Sequence, residues 1–357
     1  MSTHRIAIAG IGAVAELHAR SIGDIDAAEL VAGSCRTGER GREFAAEFDC
    51  SYYAETARML DAEAPDVLIV TTPSGAHREP ALAAIDRGVD VLCEKPIEIT
   101  TERVDELIAA ADAAGVRLGG VFNQRYNPVV QTVHEAASEG RLGDLAACNA
   151  YVPWWRDDDY YEGSWHGTAD LDGGGAVMNQ SIHGVDAVQW LAGAAADIDL
   201  DVNPVAEVFA YTDRRAHGDV MEVEDTAVAV LKYRDGTLGQ LLGATSMYPG
   251  SLKRIQLAGR GGTAEIEEDE LVTWQFREER PADADVRERF GETETGGGAA
   301  DPMSIDYANH RRNVAAFLEA RAADEPFMLD AREARKAVAV VEAVYASAER
   351  GEPVAVE

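Results

Sequence analysis

Near its start the chain reads Arg5-Ile6-Ala7-Ile8-Ala9-Gly10-Ile11-Gly12-Ala13-Val14-Ala15. A short apolar run, typical of a buried strand, leads through two glycines into a helical pattern. Glycines at such a turn permit a tight bend and let a pyrophosphate approach the helix N-terminus. An ordinary strand-to-helix turn can look the same. The position at the head of alternating strands and helices favours a dinucleotide-binding turn, with cofactor contacts at Gly10, Gly12, Ala13, Val14 and Ala15.

The first third of the chain alternates short apolar runs with amphipathic segments, as a doubly wound parallel sheet requires. The predicted strands are Arg5–Ala9, Leu30–Gly33, Val67–Thr71, Asp90–Cys93 and Arg117–Val121. The predicted helices are Ala13–Ile22, Gly38–Phe48, Thr56–Asp61, His77–Arg87 and Thr101–Ala114. A Rossmann-type α/β domain over residues 1–122 is therefore expected.

The pattern changes after Gln124. The later segments are predicted as a helix at Pro128–Glu139, a strand at Ala146–Val152, a glycine-rich loop with a helix at Asp172–Leu191, then alternating strands from about Val205 and closing helices at Ile305–Ala322 and Ala331–Glu349. Glu279–Pro302 is rich in acidic residues and glycine, which predicts a long loop. Residues 123–357 are thus expected to form an α+β domain with a large, mostly antiparallel open sheet.

The 357-residue chain has 64 acidic and 32 basic residues and a formal net charge of -32. This balance argues against a nucleic-acid surface, which needs clustered Lys and Arg. No apolar stretch approaches the roughly 20 residues of a membrane span, and the first residues lack a signal-peptide pattern, so a cytoplasmic protein is expected. The four cysteines are scattered without Cys-x-x-Cys spacing, which favours reduced thiols and predicts no metal site.

The dispersed excess of acid, with only four lysines, resembles the proteins of extreme halophiles, where high salt screens the self-repulsion. We therefore expect the thermal midpoint of unfolding to rise between dilute buffer and molar KCl. Thermal scans over a KCl series measure it, and a midpoint that stays constant or falls would contradict the halophile interpretation.

One of the four lysines, Lys95, stands in Val91-Leu92-Cys93-Glu94-Lys95-Pro96, directly after an apolar run. Arginine supplies most of the positive charge elsewhere, so this lysine is best explained by its titratable ammonium. Pro96 restricts the backbone before it and would fix the direction of the side chain. A structural ion pair between Glu94 and Lys95 is the alternative. We favour proton transfer beside a nicotinamide.

Other residues follow predicted strands at the edge of the sheet where ligands bind. Thr72, Pro73 and His77 follow the Val67–Thr71 strand and are predicted to line the cofactor. The acidic residue that would bind the ribose of NAD is missing, and Ser34-Cys35-Arg36 stands there instead. A guanidinium attracts a 2′-phosphate, so NADP is the preferred cofactor and NAD remains possible.

A second constellation runs from Asp172-Gly173-Gly174-Gly175 to His183 and Asp186. If an α-helix begins after Gly175, then Asn179, His183 and Asp186 share one face. The glycines would let a ligand approach the helix start. Such a stripe suits oxidation of a hydroxyl, with His183 near its oxygen and Asn179 as donor or orienting group, although a lone histidine is more often a hydrogen-bonded core residue.

The motifs together resemble the Gfo/Idh/MocA family of NAD(P)-dependent sugar oxidoreductases. The matching residues are Gly10-x-Gly12-x-x-Ala15, Thr72-Pro73-x-x-x-His77, Glu94-Lys95-Pro96 and Gly173-Gly174-Gly175 through His183. The resemblance covers nearly the whole chain. It implies a Rossmann domain, a C-terminal domain whose open sheet mediates homodimers or homotetramers, and a site pair of Lys95 and His183.

One departure narrows the resemblance: Asn179 stands where the family usually has an aspartate. This variant looks like the branch that oxidises the 3-hydroxyl of UDP-N-acetylglucosamine-type sugars or their uronates. By similarity the substrate would contact Arg125, Tyr126, Arg156, Tyr161, Asn179 and His183, and the cofactor would contact Ser34, Cys35, Arg36, Glu94, Lys95 and Gln124. The alternatives are a dehydrogenase of free aldoses or inositol, and a non-catalytic NAD(P)-sensing or sugar-sensing regulator.

Overall fold

The structure, a computed structural model, describes residues 3–291 and 307–357. Its chain contacts divide it into two units. The first comprises Met1–Asn123 and Asp306–Arg335, and the second comprises Gln124–Ile305 and Lys336–Glu357. The first break falls within a residue of the predicted boundary at 122. The division differs from the prediction in that residues 307–335 group with the N-terminal unit.

The first unit contains a six-stranded parallel sheet in the order β3-β2-β1-β4-β5-β6. Its strands are β1 His4–Ala9, β2 Ala28–Ser34, β3 Ser51–Tyr53, β4 Val67–Val70, β5 Asp90–Cys93 and β6 Leu118–Gly120. Its helices are α1 Ala13–Gly23, α2 Gly38–Glu47, α3 Thr56–Glu63, α4 Arg78–Ile85, α5 Thr101–Ala114 and α9 Ala308–Ala323. The predicted doubly wound sheet is confirmed. Strand β3 was not predicted.

Burial on both faces explains why this sheet could be read from the sequence. Every residue of β4 is buried, and Ile6 and Ile8 of β1 are fully buried. Burying such an aliphatic side chain stabilises the fold by about 1.5–3 kcal/mol. The order of strands reverses between β1 and β4, which places the carboxyl ends of both at the ligand-binding switch point of such sheets.

The second unit contains an eight-stranded sheet in the order β13-β12-β11-β7-β10-β9-β8-β14, in which only β7 and β10 pair in parallel. Its strands are β7 Leu145–Pro153, β8 Val205–Asp213, β9 Thr226–Tyr233, β10 Leu238–Ala244, β11 Arg254–Gly259, β12 Gly262–Glu267, β13 Glu270–Phe276 and β14 Val354–Ala355. Its helices are α6 Pro128–Ser138, α7 Ile182–Ala195 and α8 Ala282–Phe290, and α10 runs over Ala331–Arg350. The predicted mostly antiparallel sheet is confirmed.

Two predictions in this part of the chain need correction. Residues 282–290 form a helix rather than a loop, because the buried Asp283 accepts hydrogen bonds from Arg141 and from the indole of Trp274 (2.8 and 2.9 Å). The predicted loop residues 292–302 lie outside the described residues. The α-helix predicted to begin after Gly175 begins instead as a π-helix at Ala176–Ser181, which α7 follows. None of the helices within the described ranges is long and apolar enough to cross a membrane.

Candidate active site

The turn after β1 combines one crowded glycine with one open glycine. Gly10 has φ +95°, and a Cβ there would lie 2.6 Å from the backbone nitrogen of Thr72, so only glycine fits. A Cβ at Gly12 would meet no atom within 4 Å. Gly12 directly precedes α1, whose first backbone N–H groups attract an anion. The turn therefore fits the pyrophosphate of a dinucleotide, as the motif predicts.

The predicted nucleoside-selecting residues lie at the end of β2: Ser34 is its last residue, and Cys35 and Arg36 follow it. Ser34 is buried and its hydroxyl lies 2.9 Å from that of Thr56, whereas Arg36 is exposed. Arg40 of α2 reaches back to the carbonyl oxygen of Ile11 in the glycine-rich turn, at 3.4 Å. The structure thus places two guanidinium groups, one exposed and one at the turn, around the end of β2.

His77 joins two of the loops that follow strands. Its Nε2 lies 2.7 Å from the carbonyl oxygen of Thr72 and its Nδ1 lies 2.9 Å from that of Pro96. The imidazole is buried, and burial lowers its pKa. Both ring nitrogens therefore face backbone and hold Thr72 and Pro96 in place, and the contact predicted between His77 and the cofactor stays a prediction.

Glu94 anchors the segment that carries Lys95. One carboxylate oxygen accepts from His18 Nε2 (2.8 Å), and the other accepts from the Lys95 backbone N–H (3.0 Å). His310 lies 3.9 Å from the first oxygen. Burial alone would raise the pKa of Glu94, but the hydrogen bond and charge of His18, with the charges of His310 and Lys95, lower it to about 2. Glu94 thus fixes the backbone at Lys95, and its contact with the cofactor stays a prediction.

The depressed pKa of Glu94 predicts a pH window of stability. Its pKa falls from an ordinary 4.5 to about 2 in the folded protein, a difference worth about 3 kcal/mol. A lowered folded pKa stabilises the fold above the unfolded value, and that contribution is lost as pH falls through the folded value. We therefore expect the stability difference between wild type and Glu94→Gln to shrink from pH 5 to pH 2, measured by urea unfolding. A pH-independent difference would contradict the assignment.

The two predicted catalytic residues of the second unit, Asn179 and His183, lie on two kinds of helix. Asn179 belongs to the π-helix and is buried, while His183 stands in the first turn of α7 and is half-buried. The expected α-helical phase from Asn179 to His183 therefore does not hold, because a π-helix bonds residues five apart. His183 and Asp186 do share α7. Short π segments are common at functional sites, which is consistent with the predicted role.

A polar network surrounds Asn179. Its Nδ2 donates to Asp172 at 2.5 Å, so its oxygen faces the other way and accepts from Gln180 Nε2 at 3.3 Å. Gln180 Nε2 also donates to the Tyr160 hydroxyl (3.0 Å), and Arg156 donates to the Gln180 amide oxygen (3.3 Å). Asp172 thus places a carboxylate next to Asn179, the position at which the family usually has an aspartate.

The other predicted substrate residues are more enclosed. Arg125 is fully buried and forms a bidentate ion pair with Asp186. Tyr161 is buried and donates to the Thr245 hydroxyl at 2.8 Å, and burial raises its pKa well above the usual range. These bonds give both side chains a structural role, and their contacts with a substrate stay predictions.

Gln124 and Tyr126 lie in a short 3₁₀ turn at Asn123–Tyr126, and both are half-buried. The Gln124 amide oxygen accepts from Lys253 at 3.0 Å. Their contacts with cofactor and substrate stay predictions.

Sequence reasoning missed several residues that contact the predicted site segments within each unit. His18, His310, Tyr160, Gln180, Glu224 and Tyr345 are all in hydrogen-bond or ion-pair contact with the segments described above. Two signals were available: His18 lies on α1 just after the glycine-rich turn, and Gln180 directly follows Asn179. His310, Glu224 and Tyr345 are distant in sequence from what they contact.

The predicted residues thus fall into two groups, each within its own unit. The first unit holds Gly10, Gly12, Ala13, Val14, Ala15, Ser34, Cys35, Arg36, Thr72, Pro73, His77, Glu94 and Lys95. The second holds Gln124, Arg125, Tyr126, Arg156, Tyr161, Asn179 and His183. A parallel sheet with an open glycine turn, a lysine at the end of β5 and a helix-borne histidine define an NAD(P)-dependent dehydrogenase.

Comparison with known proteins gives the family. Residues 4–121 match the model described as the oxidoreductase family, NAD-binding Rossmann fold, and residues 130–265 match the GFO/IDH/MocA C-terminal domain. The chain belongs to the Gfo/Idh/MocA family and is an NAD(P)-dependent sugar dehydrogenase.

Similar structures and relatives span much of the chain. The WlbA dehydrogenase from Bordetella pertussis, in complex with NADH and UDP-GlcNAcA, matches with TM-score 0.88 and 29% identity over 100% of this chain and 98% of its own. The WlbA enzyme of Chromobacterium violaceum, with the same ligands, has TM-score 0.87 and 28% identity over 100% and 97%. Myo-inositol 2-dehydrogenase of Thermotoga maritima is 26% identical over 72% of this chain and 73% of its own.

Proposed function

We propose that the protein oxidises the C3 hydroxyl of a nucleotide sugar, of the UDP-N-acetylglucosamine type or its uronate, with transfer of a hydride to a nicotinamide cofactor. The observation that carries this proposal is the full-length similarity to two dehydrogenases bound to NADH and UDP-GlcNAcA. The polar network of Asp172, Asn179, Gln180, Tyr160 and Arg156 supports it, because a sugar needs both donors and acceptors.

The acid–base work falls to Lys95 and His183. The nicotinamide, when bound, supplies the hydride acceptor. His183 or Lys95 accepts the proton of the reacting hydroxyl, and Lys95 as an ammonium stabilises the developing carbonyl oxygen. Asn179 carries no proton to transfer. The bond from its Nδ2 to Asp172 orients the side chain, so that its amide oxygen can accept a hydrogen bond from a hydroxyl or amide of the sugar.

Cofactor reduction with a substrate panel tests the function. The panel contains UDP-sugars, their uronates, free aldoses and inositols, each offered with NAD and with NADP in molar KCl. We expect kcat/KM to be highest for a UDP-sugar, and borodeuteride reduction of the product to place deuterium at C3. Preference for a free aldose or an inositol, or deuterium at another carbon, would overturn the proposal.

Two alternatives have support of their own. Myo-inositol 2-dehydrogenase and the D-glucoside 3-dehydrogenase of Escherichia coli, 27% identical over 65% of this chain, favour a non-nucleotide substrate. A non-catalytic NAD(P)-sensing or sugar-sensing regulator is the second alternative, for which the neutral Asn179 is the best support. The same panel separates both, since a regulator would bind a ligand without reducing the cofactor.

The preference for NADP rests on Arg36. Its guanidinium is exposed at the end of β2, where no acidic side chain precedes it to bind a ribose hydroxyl. We expect Arg36→Ala to lower kcat/KM with NADP by about 10- to 100-fold and to leave NAD unaffected, because a charge-assisted bond to a phosphate is worth about 1.5–3 kcal/mol. Arg58→Ala, at an exposed arginine of α3, is the control. Equal losses with both cofactors would refute the preference.

A homo-oligomer is also proposed, assembled through the outer face of the eight-stranded sheet. That face exposes Tyr211, Val228, Val230 and Leu238, each at least half exposed. Neighbouring exposed apolar side chains on one sheet mark an interaction surface, and a second copy of the same face is complementary to it. Sedimentation equilibrium in molar KCl should give a dimer or tetramer mass. A monomer at micromolar concentration would contradict this.

A further inference from the structure

The helical segment that carries Asn179 and leads to His183 starts deep inside the second unit. A helix start leaves its first four backbone N–H groups without helical partners, and when buried these need acceptors. The first intrahelical bond here runs from the Asn179 N–H to the Gly175 carbonyl, at 3.0 Å. The N–H groups of Gly175, Ala176, Val177 and Met178 must therefore find acceptors outside the segment.

Two residues from distant parts of the chain accept all four. Glu224 takes the N–H of Gly175 on one carboxylate oxygen (3.0 Å), that of Val177 on the other (2.9 Å) and that of Ala176 on its backbone carbonyl (3.0 Å). The Tyr345 hydroxyl takes the N–H of Met178 (3.2 Å) and itself donates to Glu224, at 2.9 Å.

Glu224 and Tyr345 together form a cap on the start of the helical segment, and this cap also explains why Gly174 and Gly175 are glycines. A Cβ at Gly175 would lie 1.7 Å from the Glu224 carbonyl oxygen, and a Cβ at Gly174 would lie 2.1 Å from the Tyr345 hydroxyl. Protein atoms thus occupy the space that the sequence suggested for a ligand. The contrast with Gly12, beside which no atom lies within 4 Å, separates a ligand-binding helix start from one that is closed by the protein itself.

An ionised Glu224 satisfies the whole hydrogen-bond pattern. Three donors point at its two carboxylate oxygens, whereas a protonated carboxyl would turn one acceptor into a donor. Burial raises the pKa of Glu224 to about 7, and the bonds from Val177, Tyr345 and Gly175 act against that rise. Tyr345 faces it as a neutral phenol, because burial and the charges of Glu224 and Asp172 raise its pKa.

We propose that Glu224 and Tyr345 are positioning residues of the dehydrogenase, which fix the helical segment that carries Asn179 and His183 so that both meet the sugar in a productive geometry. This inference rests on the proposed function of Asn179 and His183. Neither Glu224 nor Tyr345 needs to contact the sugar, because their side chains accept hydrogen bonds from the backbone N–H groups of the segment. A displacement of about 1 Å in such a segment is enough to lower turnover by up to about 100-fold.

The test combines amide hydrogen exchange with steady-state kinetics. In Glu224→Gln one carboxylate oxygen becomes an NH₂ group that opposes a backbone N–H, so exchange of the 175–178 amides should rise at least ten-fold. We expect kcat to fall about 10- to 100-fold while KM for the cofactor changes less than two-fold. Tyr345→Phe retains the carboxylate and should give a smaller change of the same kind, and the two substitutions should not be additive.

Glu222→Gln is the matched control, because Glu222 is exposed and accepts a single backbone N–H, from Ala169. Faster exchange with an unchanged kcat would show that the cap is only structural, and would overturn the proposal. Unchanged exchange would also overturn it, because Glu224 would then not hold the start of the segment. Exchange is measured on the wild-type and variant proteins without substrate, so failure of the cap and failure of the proposed function are distinguishable. If no sugar reduces the cofactor, the affinity for UDP-sugars is measured in place of kcat. An affinity of Glu224→Gln equal to that of wild type would then overturn the proposed positioning role.

Discussion

Lys95→Ala is expected to lower turnover with the sugar substrate at least 100-fold while the cofactor still binds. Proton transfer by a positioned side chain contributes about 10²–10⁴-fold, and alanine removes the whole ammonium. The backbone on both sides of Lys95 is held: its own N–H by Glu94 at 3.0 Å, and the Pro96 carbonyl by His77 at 2.9 Å. This rigid support means that the loss should appear in kcat rather than in folding.

Steady-state kinetics, with cofactor affinity measured separately by fluorescence, check this expectation. Lys232→Ala is the matched control, since Lys232 lies on β9 with its side chain 58% exposed. Asn179→Ala should cost less, about ten-fold, because Asn179 orients without transferring a proton. A Lys95→Ala enzyme that keeps more than a tenth of wild-type turnover would remove Lys95 from the acid–base role.

The strands of the six-stranded sheet differ in how far the sequence could predict them, for a physical reason. Strand β4 is apolar throughout, and β1 and β5 are apolar after their first polar residues, because both faces of the sheet are buried. Such apolar runs can be recognised from the sequence alone. Strand β3 is three residues long at the sheet edge, Ser51-Tyr52-Tyr53, and is exposed to half-buried along its length. Its pairing depends on β2, and no local pattern carries that information.

Helix α8 is a second element that the local sequence could not predict, in this case because a loop was expected where a helix forms. Its composition is acidic and its local pattern favours a loop, yet Asp283 is buried by Arg141 and Trp274. Arg141 holds the pKa of Asp283 at about 2, against the rise that burial would cause. Arg141 is 142 residues away in sequence. A tertiary ion pair therefore decided the secondary structure, and only the fold could reveal it.

The glycines and lysines show how residue type can mislead about role. Gly12 and Gly175 look alike in sequence, but one borders open space and the other borders Glu224. The scarcity of lysine drew attention to Lys95. Of the other three lysines, Lys253 and Lys336 are buried and Lys232 is exposed. Scarcity alone therefore does not distinguish a site lysine from a buried one. It is the position of Lys95 after β5, at the edge of the sheet where ligands bind in such folds, that predicts a site.

Arg125→Met is expected to lower the free energy of unfolding by about 3–5 kcal/mol, because it leaves Asp186 as a buried charge without its partner. The guanidinium lies 2.8 and 2.6 Å from the two Asp186 oxygens, and both side chains are at most 1% exposed. The guanidinium also packs 4.9 Å from the centre of the Trp190 ring. Denaturant unfolding in molar KCl measures the loss.

The double variant Arg125→Met, Asp186→Leu separates a structural role of Arg125 from a substrate contact. Removing both charges avoids the unpaired buried group, so stability should return to within about 1–2 kcal/mol of wild type. Arg260→Met is the control: Arg260 pairs with Asp144 at the surface, 82% and 85% exposed, and such a pair is worth at most about 1 kcal/mol. If Arg125→Met instead unfolds like wild type and only raises KM for the sugar, Arg125 binds substrate, and the ion pair with Asp186 must open during the reaction.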